Sequence, residues 1–431
     1  MTFTQIAALV IFAGAYILIA TERVHRVAAA LGGAALMLAL GLTSGKTAYY
    51  SSDAGIDWNV VFLLLGMMII VGVIKRTGLF EYLAIAAVKK AGGRPFLVMT
   101  MLVVITAVAS MMLDNVTTVL FIAPVTILVC DKLALPVAPY LIAEVMASNI
   151  GGTATLIGDP PNIIVASRAG LSFNDFLVNL APFVVIMVIA LIAMTRIMFR
   201  HAFTFHPERV AEVMALSERE ALRNKKLLIQ SLVVLFFVLV GFILHTTLHF
   251  EPSVVALLGA GLLVLISRVT TEDAIADVEW ETLVFFMGLF VMVGALVKTG
   301  VIGNFAHLLA QATGERLWVT TALLLLASLV LSGIVDNIPY VAVMAPVVGA
   351  LAQAQPAGHT SVLWWALLLG ADLGGNATAV GASANVVVIG LAKRNGTPIS
   401  FWQFTRYGLM VAGASGLLAL PYLWLRYFAF A

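Results

Sequence analysis

The sequence has a single cysteine, Cys130, among 431 residues, and only 11% of its residues are charged. One thiol excludes a disulfide framework and a cluster of cysteine metal ligands. A net charge of +2 argues against nucleic-acid binding. No GxxxxGK[S/T] pattern occurs, so the chain is not expected to hydrolyse ATP. No HxxxH pair and no nucleophile–base arrangement stands out, so we expect neither an enzyme nor a cofactor.

Apolar residues make up 62% of the chain, and the mean hydropathy is +1.06, which together indicate a polytopic membrane protein. A membrane-spanning helix needs roughly 20 mostly apolar residues. The first of these segments lacks a basic region and a clear cleavage site, so we interpret it as a retained span. The predicted full spans are 4–21, 27–43, 58–75, 137–167, 175–199, 228–247, 253–267, 280–297, 361–392 and 404–425.

The two halves of the chain repeat one another at an offset of 222 to 223 residues. Asp114-Asn115 returns as Asp336-Asn337, and each pair is followed nine residues later by a proline. The segment GGTAT at 151–155 returns as GGNAT at 374–378. Each copy therefore places polar, helix-breaking residues inside apolar sequence. Duplicated halves with matching interruptions are typical of secondary transporters.

The interruptions predict two kinds of irregular element in an all-α membrane protein. Asp-Asn divides 95–130 and 317–354, so we interpret each as a re-entrant hairpin whose tip is the Asp-Asn pair. The segments 137–167 and 361–392 are long and carry their Gly-Gly pair near the middle, so we interpret each as a broken transmembrane helix. The predicted organisation is a first repeat at 1–200, a cytoplasmic linker at 201–226 and a second repeat at 227–431.

Five full spans per half is an odd number, so the second repeat is predicted to be inverted in the membrane. Lysine and arginine support one orientation, because basic residues concentrate in cytoplasmic loops. When 22–26, 75–94, 131–136, 196–226, 268–279 and 393–406 are assigned to the cytoplasm, they hold 19 of the 24 lysines and arginines. This orientation predicts a multi-pass protein of the inner, cytoplasmic membrane with both termini outside.

Five acidic residues fall in the predicted membrane region, where a charged side chain is costly and points to function. Asp114 and Asp336 could instead cap the second arm of their hairpins, and the sequence leaves these two roles open. Asp159 and Asp372 depart from the repeat, since they correspond to Ala382 and Asn149. An acid needed at one site need not be duplicated, which favours a functional role for both. Glu144 is either a proton relay or a residue whose side chain extends to the membrane–water interface at the cytoplasmic end of its span.

Glycines and small polar residues around the two breaks predict unwound backbone whose carbonyls and helix ends can bind a solute. The predicted solute-binding residues are Asp114, Asn115, Thr117, Asn149, Gly151, Gly152, Thr153, Asn162, Asp336, Asn337, Gly374, Gly375, Asn376, Thr378 and Asn385. The predicted proton-coupling residues are Asp114, Glu144, Asp159, Asp336 and Asp372.

The sequence resembles the ArsB/NhaD group of the ion transporter superfamily, which includes the arsenical pump membrane proteins and the P-protein permeases. LDNVTTVLFIAPVTI at 113–127, ASNIGGTATLIGDPPNI at 147–163 and their second-half counterparts carry the resemblance. It implies an elevator-type inverted-repeat fold, in which two hairpins and two broken helices form the moving part. Sodium-coupled dicarboxylate relatives have Ser-Asn-Thr at the tips, whereas this chain has Asp-Asn, which disfavours a divalent anion.

The resemblance implies export of arsenite or antimonite across the membrane. Arsenite is an uncharged trihydroxide near neutral pH, so carboxylates, amides and carbonyls could bind it without thiols. Because membrane voltage does not drive an uncharged solute, we expect proton antiport. A sodium/proton antiporter, a passive channel and the membrane subunit of an ATP-driven pump remain alternatives. The expected partners are the solute, protons and lipid, with an ATPase subunit and a second copy of the chain as further candidates and no nucleic acid.

Overall fold

The computed structural model describes residues 1–21, 24–215, 217–314, 316–354 and 361–429. Part of the predicted cytoplasmic segment 22–26 and one residue of the linker 201–226 lie outside these residues. The described chain is helical. The first half contains α1 (Phe3–Ala20), α2 (Arg26–Ala39), α3 (Gly45–Tyr50), α4 (Trp58–Lys75), α5 (Leu79–Lys90), α6 (Pro95–Met112), α7 (Asn115–Leu133), α8 (Val137–Gly152), α9 (Pro160–Ala169), α10 (Phe173–Asn179) and α11 (Ala181–Met198).

A short 3-10 turn (Arg200–Ala202), α12 (Pro207–Met214) and α13 (Glu218–Ala221) join the halves. The second half contains α14 (Lys225–Leu248), α15 (Pro252–Ser267), α16 (Thr271–Ala276), α17 (Trp280–Lys298), α18 (Val301–Ala312), α19 (Leu317–Ile334), α20 (Asn337–Ala354), α21 (Ser361–Gly374), α22 (Ser383–Arg394) and α23 (Phe401–Tyr427). All but one of the first-half helices have a second-half counterpart in the same order. The exception is α10, since residues 396–400 are not helical.

Eight helices in the described part of the chain are long and apolar enough to cross a membrane, by length and composition. The prediction of an all-helical polytopic membrane protein is confirmed at this level. The predicted span 27–43 is shortened to the 14 residues of α2, whereas α15, with 16 residues, matches the predicted span 253–267 to within one residue. At 1.5 Å per residue, such helices are roughly 21 to 24 Å long, which is less than the ~30 Å hydrocarbon core.

The equivalent helices α4 and α17 end in the same way, which shows how local sequence is repeated in structure. Each is followed by a Thr-Gly pair, and the glycines adopt left-handed backbone conformations, with φ of 78° at Gly78 and 82° at Gly300. Glycine takes this conformation without a steric penalty. The next helix, α5 or α18, therefore starts directly after a sharp change of direction.

One group of helices interleaves the two halves. The first-half helix α2 packs on α17, and the second-half helix α15 packs on α4. Small residues allow these close approaches: a Cβ atom on Gly66 would lie 2.7 Å from the carbonyl carbon of Ala256, and one on Gly288 would lie 2.9 Å from that of Ala30. Small residues at helix contacts are typical of membrane proteins. We call α1–α4 and α14–α17 the interleaved group.

The second group contains the helix pairs α6–α7 and α19–α20 with the interrupted helices. The pair α6–α7 packs on α8, and α19–α20 packs on α21. Contacts between α20 and α9 and between α22 and α7 and α8 join the two halves within this group. We call α6–α11 and α19–α23 the central group, because it holds all five predicted proton-coupling acids.

The segment 201–226 is packed rather than extended in solvent. Its α12 contacts α5 and α7, and its α13 contacts α5. Lys89 on α5 forms an ion pair with Glu218 at 2.6 Å, and this hydrogen bond lowers the pKa of Glu218 below its ordinary value. The backbone N–H of Arg223 donates to the carbonyl of Thr77 at 3.0 Å. The linker therefore follows the end of α4 and the surface of α5.

Candidate functional site

The candidate site lies where both interrupted helices meet both Asp-Asn turns. The helix α8 ends at Gly152 and α9 begins at Pro160, so residues 153–159 are non-helical. In the second half, residues 375–382 separate α21 from α22 in the same way. The Asp-Asn pairs start α7 and α20 directly beside these breaks. Several helix ends with free backbone groups therefore converge inside the protein.

A buried amide network crosses the two halves at this point. The Nδ2 of Asn115 donates to Oδ2 of Asp159 at 2.8 Å and to Oδ1 of Asn149 at 3.2 Å. The Nδ2 of Asn337 reaches the same Asp159 oxygen from the other half, at 3.2 Å. Both Asp-Asn turns therefore converge on one carboxylate. Hydrogen bonds to a charged acceptor are the strong ones in proteins.

Asn149 connects the network to the second break. Its Nδ2 donates to Oδ1 of Asn376 at 3.0 Å and to Oδ1 of Asn385 at 3.1 Å. The partners of Asn149 lie 227 and 236 residues away in the chain. The contact therefore joins the middle of the first interrupted helix to that of the second.

Asn162 and Asn385 hold the breaks closed in equivalent ways. The Nδ2 of Asn162 donates to the carbonyls of Gly152 and Thr155, at 3.0 and 2.7 Å. The Nδ2 of Asn385 donates to the carbonyls of Gly375 and Thr378, at 2.8 and 2.9 Å. Each amide thus satisfies two carbonyls that the interruption frees from helical hydrogen bonding. Both residues are fully buried.

Several buried polar atoms at the centre have no hydrogen-bond partner within the described chain. They are Oδ1 of Asp159, Oδ1 of Asn162, both carboxyl oxygens of Asp372 and Nδ2 of Asn376. Asp159 and Asp372 each have 0% exposed surface. Unsatisfied buried polar groups are rare in proteins and costly, so this group of atoms is the centre of the candidate site.

Asp114 and Asp336 take the capping role, which was one of the two that the sequence left open. Asp114 caps α7 by accepting the backbone N–H of Thr117 at 2.8 Å, and Asp336 accepts that of Ile338 at 3.1 Å. Both carboxylates also line a cavity of about 790 Å³. We call it the large cavity. It lies between the interleaved group and the central group.

Arg26, which is not among the predicted site residues, lines the large cavity and extends toward Thr282 and Ser383. Its guanidinium donates to Oγ of Ser383 at 3.2 Å and to Oγ1 of Thr282 at 3.3 Å. The hydroxyl of Ser383 in turn donates to Asp336. A cation of the interleaved group is thus linked to an acid of the central group. Nothing in the local pattern around Arg26 predicts a contact 357 residues away.

A second cavity of about 460 Å³ lies at positions equivalent to those of the large cavity. Val60 and Ile163 line it, and their counterparts Thr282 and Val386 line the large cavity. Its lining includes neither Asp114 nor Asp336. The repeat therefore provides two matching cavities, of which only the large one reaches the Asp-Asn turns.

The remaining predicted residues have more local contacts. Glu144 is buried on α8 and accepts the hydroxyl of Thr126 on α7, and its second oxygen is unpartnered. Thr153 donates to the carbonyl of Asn149 at 3.0 Å, and Thr378 donates to that of Gly333 at 2.6 Å. Thr117 contributes its backbone N–H to Asp114, and the structure gives its side chain no contact with the network.

The glycines of the breaks allow close backbone packing. A Cβ on Gly151 would lie 2.2 Å from the carbonyl oxygen of Ala107, and one on Gly374 would lie 2.6 Å from that of Leu329. A Cβ on Gly152 would lie 2.5 Å from the oxygen of Gly158, and one on Gly375 would also be crowded, 3.1 Å from that of Gly381. These residues set the position of the first hairpin arm and the shape of each break.

Within the described residues, no three His, Cys, Asp or Glu side chains come together as metal ligands. Candidate spans, a duplicated helical core and buried acids at two helix breaks define a membrane transporter. The model of the citrate transporter family, CitMHS, matches residues 16–370. The chain belongs to this family of secondary transporters, within the ion transporter superfamily.

An uncharacterized transporter of Mycobacterium tuberculosis is 55% identical over 427 residues, covering 99% of this chain and 100% of the relative. The P protein of Homo sapiens is 33% identical over 500 residues, which cover 97% of this chain but 60% of that protein. The YdaH transporter of Alcanivorax borkumensis has a similar fold, with a TM-score of 0.61 at 14% identity, covering 91% of this chain and 88% of that one. The predicted resemblance to the P-protein permeases is confirmed.

Proposed function

We propose that the chain is a proton-coupled secondary transporter whose solute and proton share the site between the two helix breaks. The observation that carries the proposal is the pair Asp159 and Asp372, both fully buried in the central group. Neither forms an ion pair with a lysine or arginine in the described chain. Burying an unpaired charge is costly, and a carboxyl group avoids that cost by binding a proton.

The transport cycle is that of an elevator built from an inverted repeat. In this proposal the interleaved group is the scaffold and the central group moves, carrying 95–130, 137–167, 317–354 and 361–392. The two equivalent cavities support the proposal, because an inverted repeat provides one access route on each side. The large cavity is lined by Arg26 and Glu279, which lie in predicted cytoplasmic segments. The described conformation is therefore inward-facing, with both termini outside the cytoplasmic membrane.

Arsenite or antimonite is the solute that we propose, moved outward in exchange for protons. The network offers carboxyl oxygens, amide groups and backbone carbonyls, which suit a small neutral trihydroxide. Citrate, after which the family is described, carries several negative charges, and an ionised Asp159 would repel it at close range. A divalent or trivalent anion is therefore the solute that this site is expected to reject.

The test uses purified protein in liposomes with an acidic interior, so that outward proton movement can drive solute inward. We expect arsenite to accumulate, accumulation to collapse when a protonophore is added, and citrate to stay outside under the same conditions. Asp159→Asn and Asp372→Asn should each abolish accumulation. Proton-independent equilibration of arsenite would instead indicate a passive channel, and citrate accumulation would contradict the choice of solute.

A sodium/proton antiporter is the second candidate. Four unpartnered buried oxygens support it, namely one on Asp159, one on Asn162 and two on Asp372, because hard cations take oxygen ligands. Sodium-dependent proton flux in liposomes without arsenite would select this candidate. For a pump subunit, an ATPase would have to bind the linker 201–226, whose Glu218 is already paired with Lys89.

A further inference from the structure

The departure of Asp372 from the repeat leaves one side of the amide network without its hydrogen-bond donor. Asp372 corresponds to Asn149, Asn162 corresponds to Asn385, and Thr153 corresponds to Asn376. At the position equivalent to Asp372, the Nδ2 of Asn149 donates to the Oδ1 atoms of Asn385 and Asn376. Asp372 has no N–H to offer, so the equivalent donation to Asn162 requires another hydrogen.

The orientation of Asn162 is fixed by its neighbours. Its Nδ2 must face the carbonyls of Gly152 and Thr155, because both would otherwise lose their donor. Its Oδ1 therefore points away from the break, as the Oδ1 of Asn385 does toward Asn149. That Oδ1 atom has no partner among the described residues. An acceptor is thus held in place by two good hydrogen bonds and left unsatisfied.

Thr153 does not supply the missing hydrogen either. Its hydroxyl lies within hydrogen-bonding reach of Asp372, but the single hydroxyl hydrogen is donated to the carbonyl of Asn149 at 3.0 Å. With that hydrogen committed, the oxygen of Thr153 is left as an acceptor toward Asp372, as the unpartnered Oδ1 of Asn162 is. A carboxylate among acceptors would gain no hydrogen bond, whereas a carboxylic acid has one O–H to donate.

We propose that Asp372 is the residue that carries the transported proton, and that its protonated carboxyl group donates to Oδ1 of Asn162. The O–H of Asp372 would then donate to Asn162 as the amide N–H of Asn149 donates to Asn385 in the equivalent contact. The proposal rests on the proposed function and gives the two acids, Asp372 and Asp159, different roles. Asp159 already has hydrogen-bond donors, because its carboxyl group accepts the amide N–H groups of Asn115 and Asn337. In this division of roles Asp159 is the acid that keeps its charge and interacts with the solute.

Other ionisable groups near Asp372 are engaged elsewhere. Asp159 is the acid that interacts with it through charge. The helices α8, α9, α19, α20 and α23 pack against α21, and α19 has no titratable side chain. The groups on the other four helices, together with Asp336 at the start of α20, are Tyr140, Glu144, Arg168, Tyr340, Arg406, Tyr407, Tyr422, Arg426 and Tyr427. Each hydrogen-bonds another residue, except Tyr407, which packs on Phe199, and Arg406, which is exposed.

Loss of the proton has a structural consequence in this account. The bond from Asp372 to Asn162 joins α21 to α9, and so joins one repeat to the other. Deprotonation would remove it and place a second negative charge beside Asp159. Proton release therefore weakens the contact between the two breaks. The protonation state of Asp372 would in this way change the shape of the solute site.

Infrared spectroscopy of the purified protein tests this assignment without any solute. We expect Asp372→Asn to remove one carboxylic-acid carbonyl band from the spectrum near neutral pH. The matched variant, Asp159→Asn, should leave that band and remove a carboxylate band instead. Asp372→Asn should fold, since Asn149 occupies the equivalent position, and circular dichroism checks this. An unchanged acid band in Asp372→Asn, or its loss in Asp159→Asn, would overturn the proposal.

Liposome assays separate this inference from the proposed function. If the unmodified protein accumulates arsenite with a proton gradient and Asp372→Asn does so equally well, the assignment of the proton to Asp372 fails alone. If the unmodified protein does not respond to the gradient, the proposed function fails, and the infrared result still stands. We expect Asp372→Asn to exchange arsenite for arsenite but to lose protonophore-sensitive accumulation.

Discussion

Gly151 offers the sharpest test of how the first hairpin is positioned. A Cβ atom at this residue would lie 2.2 Å from the carbonyl oxygen of Ala107, 2.7 Å from its Cα and 2.8 Å from its carbonyl carbon. All three are backbone atoms, so α6 must move. Overpacking of this kind costs about 1–3 kcal/mol, while replacing a helical glycine by alanine gains about 0.5–1 kcal/mol. Gly151→Ala should therefore destabilise the protein by up to about 2.5 kcal/mol.

Two variants control for the substitution itself. Gly374→Ala is the equivalent change in the second half and should cost less, since its closest backbone contact is 2.6 Å. Gly390→Ala lies in α22 with nothing within 4 Å of its Cβ, so it should be neutral or stabilising. Thermal unfolding in one detergent and arsenite flux in liposomes would measure all three. If Gly151→Ala is as stable as Gly390→Ala, the close packing of α8 on α6 is wrong.

Two further changes test the network and the cavity, and a third tests a surface ion pair. Asn115→Ala removes an amide donor to Asp159, and a lost hydrogen bond to a charged group costs about 1.5–3 kcal/mol, so proton-coupled flux should fall about tenfold to hundredfold. Arg26→Gln should slow thiol labelling of a cysteine placed at Val386 in the large cavity, because the bridge holding this conformation is lost; Arg26→Lys should be milder. The pKa of Asp273 lies below its ordinary value of 3.8, mainly because its arginine partner donates a hydrogen bond. The ion pair between Arg76 and Asp273 should therefore add a small amount to the stability near neutral pH. This contribution should disappear as the pH falls below 3.8, and it should also vanish in high salt. Comparing the melting temperatures of Asp273→Asn and the unmodified protein across pH would measure it.

The helical class and the location of the candidate site could be predicted from the sequence. Hydropathy marks the apolar helices, and polar residues within them stand out because lipid cannot satisfy them. The structure has α7 and α20 beginning at Asn115 and Asn337, immediately after the aspartates. Such helix starts have local signals, since aspartate caps a helix through its own side chain.

The contacts between the halves could not be predicted from the sequence. Asn149 contacts residues more than 220 positions away, and nothing near it in the chain specifies those partners. Arg26 contributed only a positive charge to the orientation argument, yet it bridges Thr282 and Ser383. The docking of the linker on α5 depends likewise on tertiary contacts. Hydropathy and repeat spacing describe neighbours along the chain and carry little information about such pairs.

Proton movement driven by solute is the measurement that decides whether arsenite and protons are exchanged by this protein. Purified protein in liposomes without a pH gradient would receive an arsenite gradient, and a pH-sensitive dye would report proton flux. The account predicts opposite movement of arsenite and protons, unaffected by sodium and absent in the Asp159→Asn/Asp372→Asn double variant. Proton flux that follows sodium rather than arsenite, or that persists in the double variant, would contradict it.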